Sequence, residues 1–176
     1  KLAVIHHQFE SIHPFYDGNG RTGRIICILF LVLNQLLEIP VLYLSRYITQ
    51  NKNEYYRLIQ SVRDSDGALE DWKRWILFLL RGIEITAKHT ISIVGGIRDI
   101  MAQYKEVLRP AFGKVYRHEL INHLFMQPYT KIEHMMHAMN VSRITATKYL
   151  ERIVELGLLE KVKLGKTNYY VNSKID

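Results

Sequence analysis

Apolar residues recur at helical spacing from the start of the chain. Leu2, Ile5, Phe9 and Ile12, with Ala3 and Val4 beside them, predict an amphipathic helix that ends near Ile12. No capping residue precedes it, so the pattern reads as part of a longer protein. A glycine-rich stretch, His13 to Gly20, follows. The apolar run Ile25 to Leu33 then sits in a helix expected from about Arg21 to Leu37, stopping before Pro40. Ser45 and Thr49 are expected to cap short helices, one of which carries Tyr55, Tyr56, Ile59 and Val62. A turn at Asp64-Ser65-Asp66-Gly67 precedes a long helix. There Trp72, Trp75, Ile76, Leu79 and Ile83 form an apolar stripe that reads as core. Gly95-Gly96 is expected to break this helix. A linking helix from Ile97 to about Arg109 follows, closed by Pro110 because the residue before a proline is disfavoured in helix.

The pattern changes after Tyr116. A helix over about Tyr116 to Phe125 ends before Pro128. Thr130 is an expected cap for a helix over Lys131 to Met139, and Ser142 for a helix reaching about Leu156. Gly157 suits the left-handed position after that helix. Leu158 to Leu164 and Asn168 to Val171 read as two strands joined at Gly165-Lys166. Helix, helix-turn-helix and ribbon in this order are the layout of a winged helix. The expected fold is therefore mainly α: a helical core over 1–94, a linking helix over 95–112 and a small α+β winged-helix domain over 113–176.

Composition narrows the class. Hydrophobic residues make up 48% of the 176 and charged residues 23%, enough apolar material for a packed core and too much for a disordered chain. The one cysteine, Cys27, excludes a disulfide framework and suggests a reducing, cytoplasmic setting. The longest apolar run is too short for a bilayer, which needs about 20 residues, so no membrane partner is expected. The net charge of +7 suggests a polyanionic partner. Residues 1–96 hold 11 basic and 9 acidic side chains, whereas 97–176 hold 13 and 8.

The segment His13 to Arg24 reads H-P-F-Y-D-G-N-G-R-T-G-R. Pro14 is expected to hold His13 extended and so end the first helix. Phe15, the large apolar residue of the loop, is expected to pin it to the core. Gly18, Asn19 and Gly20 tolerate positive φ, so successive N–H groups can converge on an anion and lead into a helix N-terminus that favours phosphate. Arg21 and Arg24 lie three apart in the first helical turn, where the helix dipole disfavours cations by about 0.3–1 kcal/mol each. A sequence serving stability alone would more often put acids there. Two arginines fit a multiply charged anion. Asp17 beside them fits a divalent cation bridging carboxylate and phosphate, which is how Mg²⁺ is commonly held. His13 is the side chain of the segment suited to moving a proton near neutral pH.

This segment resembles the signature of the Fic family, H-P-F-x-D/E-G-N-G-R-x-x-R, at every specified position, and the resemblance extends over about residues 1 to 90. It implies a mostly helical enzyme that transfers AMP from ATP to a Ser, Thr or Tyr hydroxyl of a target protein. By that resemblance His13 is the general base and Asp17 binds Mg²⁺. Gly18, Asn19 and Gly20 hold the phosphates, with the Asn19 side chain helping, and Arg21 and Arg24 neutralise the β- and γ-phosphates. The Doc branch, which acts as a kinase, has a lysine where Gly20 stands here, so Gly20 favours nucleotidyl transfer. Asn53, Tyr55 and Tyr56 resemble the segment bordering the adenine, and plain helix packing by the two tyrosines is an equal alternative. The family also has further helices and a target-docking β-hairpin flap before the segment matched by Lys1. In many members an inhibitory glutamate pairs with the arginine matched by Arg24. These elements are expected upstream.

The third helix of the C-terminal unit carries Arg143, Thr145, Thr147 and Lys148 on a face that suits a major groove, with Lys161, Lys163 and Lys166 on the ribbon. Residues 116–176 nonetheless hold only 9 basic against 6 acidic side chains. DNA binding by a transcription regulator thus stands beside packing, homodimerisation or target recruitment as uses of the winged helix. His118, His123, His134 and His137 lack the cysteines or paired carboxylates of a zinc site, and none is assigned.

Overall fold

The computed structural model describes residues 1–66 and 68–174. Gly67, the last residue of the expected turn after Asp64, lies outside the described residues. The chain forms two compact units, Lys1–Ile93 and Val94–Asp176. The architecture is mainly α, with one small antiparallel sheet in the second unit.

The first unit contains α1 (Leu2–Ile12), α2 (Asn19–Leu33), α3 (Leu44–Gln50), α4 (Lys52–Asp64) and the first part of α5 (Leu69–Phe112). Its core gathers Cys27, Leu44, Tyr47, Tyr55, Leu58, Ile59, Trp75 and Leu79. Trp75 is fully buried, its ring stacked parallel to Phe78 and to His6, and its Nε1–H donates to the Ala3 carbonyl at 2.9 Å. That bond ties α5 to α1, which carries the end of the glycine-rich loop. α2 lies close against α1 because Gly23 has no side chain. A Cβ there would fall 2.7 Å from Glu10 Oε1 and 3.1 Å from His6 Cε1.

Several local expectations give way to packing. Ser45 and Thr49 lie inside α3 rather than at caps, and Tyr43 and Asn51 occupy the N-cap positions of α3 and α4 without side-chain bonds. Gly95-Gly96 does not break α5, which runs through both. An interior glycine costs only about 1 kcal/mol, too little to stop a helix whose flanks are already helical. Pro110 also lies within α5. It falls in the last turn, so its missing N–H forgoes a single i→i−4 bond, to the Glu106 carbonyl, and little helix remains beyond it to be broken. The helix stops before Gly113, whose φ of 50° is the left-handed conformation that glycine adopts freely.

In the second unit, α5 contributes Tyr104, Leu108 and Phe112 to a core shared with α6 (His118–Met126), α7 (Ile132–Met139) and α8 (Arg143–Glu155). Three strands complete it: β1 (Tyr129–Thr130), β2 (Glu160–Leu164) and β3 (Thr167–Val171), in the order β1-β3-β2. Thr130 therefore belongs to a strand paired with Tyr170, and Lys131 is the N-cap of α7. A two-residue strand is too short to show alternation in a sequence. Ser142 caps α8 as expected, its hydroxyl accepting from the Thr145 N–H, and Gly157 and Gly165 have positive φ. The Tyr104 hydroxyl lies 2.7 Å from both the Leu158 carbonyl and Asn172 Oδ1, joining α5 to the sheet margin.

Candidate active site

α1 closes at His13, whose N–H donates to the Phe9 carbonyl at 3.0 Å. His13 has φ 51° and ψ 56°, so it is left-handed and not extended. Proline disfavours the right-handed helical region for the residue before it, and the chain leaves the helix through the left-handed one instead. The imidazole is exposed at this corner. Phe15 also departs from expectation: it is 51% exposed, with its ring tilted against that of Phe9.

The loop is held by Asn19. Its side chain is buried, its Oδ1 accepting from the Phe15 N–H at 2.9 Å and its Nδ2 donating to the Phe15 carbonyl at 2.6 Å. Both ends of the amide thus bond the loop backbone, so Asn19 fixes the shape of the loop, with one amide N–H left over. Gly18 alone of the three residues 18–20 has positive φ, at 85°, and it is the N-cap of α2. Asn19 and Gly20 are the first residues of the helix. The expected row of left-handed residues is therefore one glycine followed by a helix N-terminus with no side-chain cap and no acid in its first turn. Its leading N–H groups lack intrahelical acceptors, which is the anion-binding end of a helix.

Gly20 has a different task. A Cβ there would stand 3.1 Å from Arg24 Nη1, so the bare Cα makes room for that guanidinium. Arg24 Nε donates to Ser45 Oγ at 2.9 Å, and Arg21 Nη2 lies 3.3 Å from Asp17 Oδ2. Arg21, Arg24, Ser45, Leu42 and Tyr43 line an open cleft of 330 Å³. Asp17 is largely exposed, with Oδ1 accepting the Gly18 N–H at 2.6 Å. No group of three or more metal-ligating side chains exists among the described residues. Asp17 thus fits Mg²⁺ only where phosphate oxygens and water complete the shell, the usual form for nucleotide-bound magnesium.

A second cleft, of 260 Å³, is lined by His13, Glu10, Ser11, Tyr56, Ile59 and Arg63. Of the three residues expected at the adenine, the structure brings Tyr56 beside His13. Tyr55 is buried, with its hydroxyl 2.8 Å from His6 Nε2, so it serves the core. Asn53 is exposed and lines neither cleft.

Beneath the loop lies a buried polar group that sequence reading did not single out. His6 Nδ1 is 3.3 Å from Cys27 Sγ, and Glu10 Oε1 has no hydrogen-bond partner. Burial pulls the His6 imidazole from 6.5 down to about 4 and pushes the Cys27 thiol up to about 12. His6 is therefore neutral at pH 7, and its 4.0 Å approach to Glu10 is not an ion pair. Burial also raises Glu10, against the pull of His13, Arg24 and Arg63. The available signal was the spacing of His6 and Glu10, one helical turn apart on the face of α1 turned to α2.

Two expectations follow. Gly23→Ala should lower stability by about 1–3 kcal/mol, since a methyl group there meets a buried imidazole and an orphaned carboxylate. Equal denaturation midpoints for variant and parent would refute it. Acidification should also destabilise the chain. Burial lowers His6, His7 and His123, so the unfolded chain binds more protons than the folded one below pH 6.5. The His6 contribution is complete above about pH 6.5 and is lost as pH falls through about 4. Glu10, raised, acts in the opposite sense and makes the slope shallower. The melting temperature should fall between pH 7.5 and 5, and a flat or rising profile would contradict the buried-histidine assignment.

The candidate groove-facing residues of α8 are mostly engaged within the unit. Arg143 Nη1 donates to Glu133 at 2.9 Å, Thr145 bonds Ser142, and Thr147 Oγ1 donates to the Arg143 carbonyl at 2.8 Å. Lys161 pairs with Glu151 at 2.6 Å. Lys148 is exposed. Such internal pairing neutralises charge that a phosphate backbone would need.

Residues 1–31 match the Fic/DOC family model, and residues 100–175 match the model described as the C-terminal domain of SoFic-like protein adenylyltransferases. A probable protein adenylyltransferase of Aquifex aeolicus is 47% identical over 49 residues, 28% of this chain and 15% of that protein. The protein adenylyltransferase Fic of Drosophila yakuba is 34% identical over 67 residues, 36% of this chain and 12% of that protein. A Fido domain-containing protein of Dictyostelium discoideum is 62% identical over 29 residues, 16% of this chain and 20% of that protein. The chain therefore spans only 12% to 20% of the length of these relatives. The loop geometry of His13 to Arg24, the Fic/DOC match over residues 1–31 and the SoFic-like match over residues 100–175 together support a Fic family adenylyltransferase.

Proposed function

We propose that the protein transfers AMP from ATP to a hydroxyl side chain of a target protein. The observation that supports this most directly is the joint placement of His13, Asp17, the open N-terminus of α2 and Arg24 on one loop-helix unit. The relatives named as protein adenylyltransferases support the same reaction class.

The triphosphate lies along the N-terminal N–H groups of α2, with Arg21 and Arg24 on its β- and γ-phosphates. Magnesium, held by Asp17 and phosphate oxygens, supplies charge neutralisation when bound. The target's hydroxyl oxygen attacks the α-phosphorus. A P–O bond forms to that oxygen, the bond between the α-phosphorus and the bridging oxygen breaks, and pyrophosphate leaves with the electron pair. The hydroxyl proton passes to the His13 imidazole, which stands exposed at the left-handed corner where α1 ends. Asn19 keeps the loop in shape while this happens. Most of the rate comes from positioning and from fixed positive charge facing the leaving group.

Incubation with ATP labelled at the α-phosphate, Mg²⁺ and a cell lysate tests the reaction. Label should appear on protein, with one pyrophosphate released per AMP incorporated. Labelling only from the γ-phosphate would assign phosphoryl transfer instead, and labelling from neither would reject group transfer.

A further inference from the structure

Ser45 lies outside the motif, 21 residues beyond Arg24. Its hydroxyl accepts from Arg24 Nε across the gap between α2 and α3, and both side chains line the same cleft as Arg21. On the other side, the guanidinium rests against the bare Cα of Gly20, with Nη1 only 3.1 Å from where a Cβ would be. The guanidinium is thus clasped at its stem by a hydroxyl and along one edge by a glycine. A guanidinium carries five donors in a rigid fork. With Nε spent on Ser45, its two terminal nitrogens are left for an anion, and they can take two oxygens at once.

We propose that Ser45 is a positioning residue for Arg24, fixing the guanidinium end-on to the β- and γ-phosphates, with Gly20 keeping the space it needs. The proposal rests on the AMP-transfer reading. Arginine is rich in rotamers, and ordering it during the reaction would detract from stabilisation of the departing pyrophosphate. A guanidinium already held in place avoids that loss. The role concerns the outer phosphates, so it should be invisible to a nucleotide that lacks them.

The experiment uses Ser45→Ala, Ser45→Thr and Arg24→Ala, singly and with Ser45→Ala combined with Arg24→Ala, in the full protein. Ser45→Ala should lower kcat/KM for ATP about ten-fold, as expected for losing a hydrogen bond to a charged group. Affinity for AMP should stay unchanged, and Ser45→Thr, which keeps the hydroxyl, should restore turnover. In the Arg24→Ala background Ser45→Ala should have no further effect, because a residue that acts through Arg24 has nothing left to act on. A merely structural serine would instead cost the same in both backgrounds and lower AMP affinity as well, which would overturn the proposal. An activity-free readout separates the two levels. The Arg24 Nε–H resonance, assigned by its loss in Arg24→Ala, should exchange slowly with solvent in the parent and rapidly in Ser45→Ala. Identical exchange in both would remove the clamp itself. Slow exchange in a parent protein that transfers no AMP would keep the clamp and reject the reaction on which its purpose rests.

Discussion

His13→Ala should lower AMP transfer by about 10²–10⁴-fold, the usual contribution of a positioned general base, while leaving ATP affinity within about two-fold. The split follows from the geometry. On the proposed reading the phosphates face the N-terminal N–H groups of α2 with Arg21 and Arg24, and these arginines line a different cleft from the one that His13 shares with Tyr56 and Arg63. The backbone complicates the simplest variant. His13 is left-handed, and alanine in that conformation is strained by about 1–2 kcal/mol. His13→Asn is the matching control, because asparagine visits the left-handed region readily yet cannot serve as a base at neutral pH. Both variants should lose transfer, and His13→Asn should be the more stable of the two. Transfer at the parental rate in His13→Asn would take the base role away from His13.

Trp75→Ala should destabilise the first unit by about 3–5 kcal/mol, the range for removing a buried aromatic. The ring is fully buried among His6, Tyr55 and Phe78, and deletion also removes the indole N–H bond to the Ala3 carbonyl. Trp72, packed against His7, remains as a fluorescent reporter in the same unit. Its emission should report unfolding at a much lower denaturant concentration than in the parent. Trp75→Phe should cost markedly less, since it keeps most of the buried surface and loses the hydrogen bond. A Trp75→Ala midpoint within the scatter of surface variants would mean that this core does not support α1, and hence the loop, in the way described. The effect bears on function because Ala3 and His13 sit on the same helix.

Much of the candidate site was legible because its chemistry is contiguous. His13, Asp17, Gly18, Arg21 and Arg24 are close in sequence, and the helices flanking them announce themselves by apolar spacing. The succession of helices and ribbon in the second unit was equally readable from Ser142, Gly157 and Gly165, whose roles as cap and turn residues are local. Roles that depend on distant partners were not. Tyr55 and Tyr56 are neighbours with the same side chain, yet one bonds His6 in the core and the other faces the cleft beside His13. Which tyrosine faced which way depended on how α4 docks on α1. That the Asn19 amide bridges the Phe15 backbone was likewise not legible in the sequence. Gly20 seemed a conformational device and proved a spatial one, and Ser45 seemed a cap and proved a partner for Arg24.

The chain by itself thus determined that a loop with a histidine, a carboxylate and two arginines opens a helix, and that further helices and a two-stranded ribbon follow in the second unit. Residues within a turn or two of one another settle such features through backbone preference and charge spacing. Tertiary structure alone decided the burial of His6 and Glu10, which of Tyr55 and Tyr56 joins the core, and the clasp on Arg24. Each of these is settled by packing energy and by partners supplied from a different helix, and those outweigh the fraction of a kcal/mol to about 1 kcal/mol at stake in most local preferences.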